Sequence, residues 1–301
     1  MTGSASQPPS AVVVRIDGHA TGDRAVDAAI SQARTLHRPL HLVFATGIGV
    51  VPWTPELLAA RDRLTMRCHE RAVALAPDLD ISWAVRVADP AAMLVAASAS
   101  AALVVLTESG LGHGGDVLLG GTTHKVVAHA HCPVMVVPRR GDSSDRGPVV
   151  VGVDIAEHSV PALAWAFAEA SARGARLVAV HACWWEEPSL LLDGPPEDEP
   201  AWAYIVDAQG LELSEMLAGW REKYPDVEVE PTVVHEHPAM ALEDWSLRSP
   251  LLVVGSRGRG GFAGLLLGSV SGHAVHHAHC PVVVVPSRPR GPGSSKGEGL
   301  S

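Results

Sequence analysis

One ten-residue segment occurs twice in this 301-residue chain. Residues 129–138 read HAHCPVMVVP and residues 277–286 read HAHCPVVVVP, 148 residues later, with Met135 against Val283 as the one difference. A period that long is a whole domain rather than a solenoid unit, so the chain is expected to fold as two copies of one architecture. The starts of the halves also align: VVVRID at Val12–Asp17 matches VVVGVD at Val149–Asp154, at a spacing of 137. The second half therefore carries about eleven additional residues between these landmarks. Pro90-Ala91 and Pro238-Ala239 already stand 148 apart, which puts the insertion upstream of them. Its expected place is Trp184–Pro200, where six acids and no basic residue stand among prolines, the composition of an exposed loop. The polar, turn-rich Arg139–Pro148 reads as the joint. The expected domains are residues 1–140 and 147–287, followed by a flexible Pro/Gly/Ser-rich tail over 288–301.

Within each half, short β-branched runs alternate with longer helical patterns. Strands are expected at Val12–Ile16, Leu40–Phe44, Ile81–Val87, Leu103–Leu106 and Val134–Val137, with helices at Asp23–His37, Leu57–Ala76, Ala91–Ala99 and Thr122–His129. The second half repeats the series. Its strands are Val149–Val153, Arg176–Ala182, Val227–Val234, Leu251–Val254 and Val282–Val285. Its helices are Ser159–Ala172, with Leu163 and Phe167 on one face, Ala203–Lys223, Pro238–Leu247 and Val270–Ala278. Such alternation predicts an α/β fold, two tandem open-twisted parallel five-stranded sheets flanked by helices. Aromatic residues are only 4% of the chain, so the core must be built from Ala, Val and Leu.

Composition narrows the partners. The formal net charge is −10, whereas a chain that grips nucleic acid carries a basic excess or patch. The apolar runs Ala101–Leu106 and Val282–Val285 fall far short of a bilayer span, and the opening MTGSASQPPS lacks the basic start and apolar run of a secretory signal. Neither nucleic acid nor membrane is expected as a partner. Four widely spaced cysteines without a CxxC pair suit free thiols in a cytoplasmic protein.

In an open parallel sheet, ligands bind at the carboxyl ends of the strands, where strand order reverses. Three features of the second half converge there: Asp154 after the first strand, His181-Ala182 closing the second, and a glycine-rich segment from Gly255 to Ser269 after the fourth, leading into a helix. Glycines admit phosphates close to the backbone, and a helix start offers unpaired N–H groups. Ser269 and Ser271 can add hydroxyl donors, and Arg257 and Arg259 positive charge. The residues thus suggest a phosphate-bearing ligand, with Asp154 free to accept from a ribose hydroxyl. The same glycines could equally serve only to turn the chain.

The segment Gly255-x2-Gly258-x9-Gly268-Ser269 resembles in full the G-x2-G-x9-G-[S/T] ATP-binding motif of the universal stress protein family. HAHCPVVVVP, VVVGVD and Val180-His181-Ala182 stand in the same register, so the chain resembles a tandem universal stress protein. The resemblance implies a Rossmann-like, adenine nucleotide alpha-hydrolase-like fold and a set of contacts. Asp154 would hold the ribose, the Ala182 backbone would meet the adenine edge, and Gly152 and Val254 would line the adenosine. Gly255 and Gly258 would lie against ribose and phosphates, while Gly268, Ser269 and Val270 would hold the β- and γ-phosphates. The implied ligand is ATP, with or without Mg2+, or another adenine nucleotide. The implied role is regulatory, in stress adaptation, with at most weak ATPase activity. A pseudo-dimer of the two domains is also implied, paired through the last strands, and a homodimer of the whole chain is open.

The first half departs from this pattern. Asp17, Ala45, Gly110 and Gly120 keep their places, but Arg15 replaces Gly152, Thr107 replaces Gly255, Glu108 replaces Ser256, and Gly121-Thr122 stands for Ser269-Val270. A carboxylate repels phosphate and Thr107 stiffens the backbone, so this site is expected to be weakened or empty.

Other patterns are less telling. No Gly-Lys-Ser/Thr occurs, and Gly258-x-Gly260-x-x-Ala263 has no acid about twenty residues on. His273, His276 and His277 share one helix face, and His235 and His237 one strand end, but no carboxylate stands at useful spacing. Capping and surface roles are therefore expected, with no metal. Cys132 and Cys280 precede Pro at matching places and read as small buried residues. Trp184-Trp185 could cover a nucleotide or anchor the acidic loop. Two further readings stand beside the nucleotide-binding regulator: a slow ATP-hydrolysing enzyme, and a nucleotide-free stress scaffold.

Overall fold

The inner β-branched runs become short strands covered by helices on both faces, so nearly every residue in them is apolar. The computed structural model describes residues 6–16, 22–46, 54–108, 121–139, 147–184, 201–258 and 267–287. The chain divides into two units, with the boundary between Val137 and Pro138.

In the first unit the order is β1 (Val12–Ile16), α1 (Gly22–Thr35), β2 (Leu40–Thr46), α2 (Pro55–Leu75), β3 (Ile81–Val87), α3 (Pro90–Ser98), β4 (Leu103–Thr107), α4 (Gly121–His129) and β5 (Val134–Val137). Its strands lie parallel in the order β3-β2-β1-β4-β5. The second unit runs β6 (Val149–Gly152), a 3-10 turn (Glu157–Ser159), α5 (Val160–Arg173), β7 (Leu177–Ala182), α6 (Ala201–Lys223), β8 (Val229–Val234), α7 (Pro238–Ser246), β9 (Leu251–Gly255), α8 (Ser269–His277) and β10 (Val282–Val285). Here the parallel order is β8-β7-β6-β9-β10. Strand order therefore reverses at β6/β9, as it does at β1/β4, which opens a crevice at the carboxyl ends of those strands.

The two units share their registers. Val12 faces Leu40 and Leu103 just as Val149 faces Leu177 and Leu251. Leu40 faces Ile81 and Leu177 faces Val229, so the offset changes from 137 to 148 between β7 and β8. Most of the acidic segment expected there, like residues 288–301, lies outside the described residues.

Local chemistry sets the helix ends. Thr54 and Asp89 cap α2 and α3 by accepting from Leu57 N and Ala92 N, each ahead of a proline whose fixed φ suits the first helical position. At the far end of α5, Gly174 takes the left-handed conformation at φ +58° that a side chain would resist. Leu163 and Phe167 are fully buried on the inner face of α5. Phe167 also stacks on Trp220 and Tyr224 at 5.6 Å each, fixing α6 against α5 with three of the chain's few aromatic rings. Among the described residues, no helix is long and apolar enough to cross a membrane.

Candidate functional site

β6 stops at Gly152 because Asp154 turns the chain out of the sheet. Ser159 secures that turn, its Oγ accepting from Asp154 N at 3.1 Å and donating to Asp154 O at 2.8 Å. The Asp154 side chain then stands at the carboxyl end of β6, where His158 Nε2 donates to its Oδ2 at 3.1 Å. On β7, His181 is buried and its Nδ1 donates to the Val153 carbonyl at 2.8 Å, which fixes the ring tautomer and ties the β6 and β7 ends together.

The segment after β9 approaches Asp154 closely. A β-carbon on Gly258 would lie 3.0 Å from Asp154 Oδ2, and one on Gly152 would lie 2.8 Å from Leu242 Cδ1. Neither glycine has a positive φ; a β-carbon on Gly258 would meet the Asp154 carboxylate, and one on Gly152 would push the end of the Leu242 side chain aside. Gly268 caps α8 without a side-chain acceptor, while its own N–H donates to Ser256 O at 2.9 Å. The N–H groups of the first turn of α8 are thereby left for an anion.

These pieces enclose a cavity of about 420 Å³. All ten second-half residues expected from the sequence line it: Gly152, Asp154, Ala182, Val254, Gly255, Gly258, Gly268, Ser269, Val270 and Ser271. Arg257 lines it as well, whereas Arg259 lies outside the described residues. Ser271 is there in a different capacity from the expected ligand donor. Its buried hydroxyl donates to Gly268 O and Ser256 O, at 3.0 and 3.2 Å, and so holds the loop to the helix. Sequence reasoning missed Ser159, Pro238 and Leu242 on the cavity wall. Pro238 carried a signal, since Pro90 repeats it, but the inward face of Leu242 is set by tertiary packing alone.

In the first unit, Ala45 is buried at the end of β2. Gly121 is exposed at the start of α4 with Thr122 half-buried beside it. Asp17, Gly110 and Gly120 lie outside the described residues. Arg15 is half-buried at the position of Gly152, and Thr107, the last residue of β4, and Glu108 after it are buried.

The remaining patterns resolve individually. His237 caps α7, its Nδ1 accepting from Ala239 N at 3.3 Å. His235 stacks on Trp184 at 5.8 Å, and Trp184 is exposed outside the cavity lining; Trp185 lies outside the described residues. Cys132 and Cys280 are buried, and burial pushes both thiols up to about 12. The carboxylate that the histidines of α8 lacked in the sequence is supplied by α7: Glu243 accepts from His273 Nε2 at 2.7 Å.

The family model described as Universal stress protein family matches residues 10–138 and again 146–286. A universal stress protein of Mycolicibacterium smegmatis is 36% identical over 295 residues, 93% of this chain and 97% of that protein. One of Mycobacterium tuberculosis is 35% identical over 294 residues, covering 91% and 96%. The crystal structure of a universal stress protein from Archaeoglobus fulgidus superposes with a TM-score of 0.65 at 16% identity, over 93% of this chain and 99% of that one. It has the Rossmann-like adenine nucleotide alpha-hydrolase fold. Two matched domains in one chain also meet the requirement for an intramolecular pseudo-dimer. The chain belongs to the universal stress protein family, as a tandem-domain member.

Proposed function

We propose that the protein is an ATP-binding regulator of stress adaptation, whose nucleotide is held by the C-terminal domain, residues 147–287. The observation that carries this reading is the convergence of all ten expected second-half residues on one cavity. Its volume of about 420 Å³ lies within the range of small-molecule sites. It offers a carboxylate for ribose hydroxyls at one wall, apolar Val254 and Leu242 for a base, and a helix start with Arg257 for phosphates. Mg2+ would accompany ATP as a counter-ion to its phosphates. The N-terminal domain, residues 1–140, has a weakened site in this reading, because Arg15, Thr107 and Glu108 bring bulk and negative charge where the second domain has Gly152, Gly255 and Ser256.

A calorimetric titration of Mg-ATP tests the reading on the full chain and on Gly268→Asp. The variant has room for its β-carbon, whose nearest neighbours would be 3.4 Å or more away, yet it sets a carboxylate at the helix start. One equivalent bound by the wild type and none by the variant is the expected result. Two equivalents, one surviving the substitution, would restore the N-terminal site. No heat from protein shown to be nucleotide-free would leave the scaffold reading. ADP accumulating beyond one turnover would favour the enzyme.

A further inference from the structure

On α7 and α8, away from the cavity lining, one carboxylate and two imidazoles come together. His273 and His277 are one helical turn apart, with ring centroids 4.2 Å apart and planes inclined by 24°. From α7, Glu243 reaches across to His273. One nitrogen of each ring and one carboxylate oxygen all lie within 4.8 Å of one another. Donors bound at about 2.0–2.2 Å around a tetrahedral ion are separated by roughly 3.3–3.6 Å. Modest rotations of half-buried and exposed side chains therefore close this trio on an ion. Two imidazoles and a carboxylate, with a remaining position open to water, suit zinc and its neighbours far better than Mg2+.

A plain ion pair between helices explains less. Glu243 and His273 would suffice for it, which leaves the stacking of His277 on His273 unexplained. Nor does the fold require the trio. At the repeat spacing of 148 the corresponding residues are Val95, Lys125 and His129, and α3 still packs on α4 as α7 packs on α8. All three donors ride on helices, which hold ligand geometry better than loops do.

We propose that Glu243, His273 and His277 form a binding site for a divalent transition-metal ion, which clips the last turns of α8 to α7. The site is independent of the nucleotide reading, so its test uses nucleotide-free full-length protein. Zn2+ is titrated calorimetrically, and Co2+ is added separately to record its visible ligand-field bands. The variants are His277→Ala, which removes an exposed ring, and Glu243→Gln, whose amide oxygen still accepts from His273. His124→Ala on α4 removes an exposed histidine of the other domain and serves as control. One equivalent of Zn2+ should weaken by about tenfold or more in both site variants and stay unchanged in the control. The Co2+ bands should fade with it. Saturable binding that is identical in wild type and His277→Ala, or no saturable binding in the wild type, would overturn the proposal. Far-UV circular dichroism of Glu243→Gln separates lost ligation from lost folding. Loss of ATP binding in the experiment above would leave this result untouched.

Discussion

His158 Nε2 donates to Asp154 Oδ2 across a single 3-10 turn at 3.1 Å, while Ser159 holds the backbone of Asp154 at both its N–H and its carbonyl. The carboxylate proposed to meet the ribose is thus aimed by its own local sequence. Removing it should remove a charge-assisted hydrogen bond of about 1.5–3 kcal/mol. Asp154→Ala is expected to weaken Mg-ATP by roughly ten- to a hundredfold. His158→Ala acts only through the aim of the carboxylate and should cost clearly less. Competition against a fluorescent adenine nucleotide measures both, and equal losses would make His158 a direct ligand contact rather than a positioning residue.

Gly152 separates the two domains most sharply. A β-carbon there would press on Leu242 at 2.8 Å, and Leu242 lines the cavity. At the corresponding place in β1 the chain already accommodates Arg15, so an arginine is compatible with the strand. Gly152→Arg should therefore leave a folded domain that no longer binds Mg-ATP, read by the same titration together with a thermal melt. Binding at the wild-type level would mean that Leu242 and the new side chain both vacate the cavity, and would dissociate Arg15 from the proposed weakening of the first site.

Most of the fold was legible because its signals are local. Val12–Ile16 and Val149–Gly152 are strands for the reason their sequences suggest, a β-branched run buried on both faces. The start of α2 fell two residues before the expected Leu57 because Thr54-Pro55 is a cap signal that the apolar pattern does not carry. Gly258 and Gly268, singled out by their resemblance to a family motif, both line the cavity. Leu242 and Glu243 carried no such signal. They sit on one helix, one lining the cavity and the other meeting His273, and only the packing of α7 against its neighbours decides which neighbour each one meets.

The thiols should divide by burial. Cys132 and Cys280 are buried with their pKa values pushed up to about 12, Cys68 is also buried, and Cys183 at the end of β7 is half-buried. The thiolate is the reactive form, so iodoacetamide at about pH 8 should modify Cys183 first in the folded protein and all four in denaturant. Peptide mass spectrometry after timed quenching assigns the sites. Rapid modification of Cys132 or Cys280 would instead mark the repeated Cys-Pro pair as reactive.

His41, buried in β2 beside Ser82 Oγ at 2.8 Å, should make the first domain sensitive to mild acid. Burial chiefly, and the positive charge of Arg86 second, lower its pKa from 6.5 to about 4. The unfolded chain takes up this proton as pH falls through 6.5, whereas the folded chain refuses it until about 4. The stability tied to the neutral ring is therefore complete above pH 6.5 and is lost progressively between 6.5 and 4. Between pH 7 and 5 the loss from this one group comes to about 2 kcal/mol. His41→Gln keeps a hydrogen-bonding side chain but does not titrate. Urea denaturation of wild type and variant at both pH values should show the stability gap shifting by that amount in favour of the variant at pH 5. A gap independent of pH would mean that the His41 ring is protonated in the folded domain at pH 5, and that its burial is relieved by water or by movement of β3.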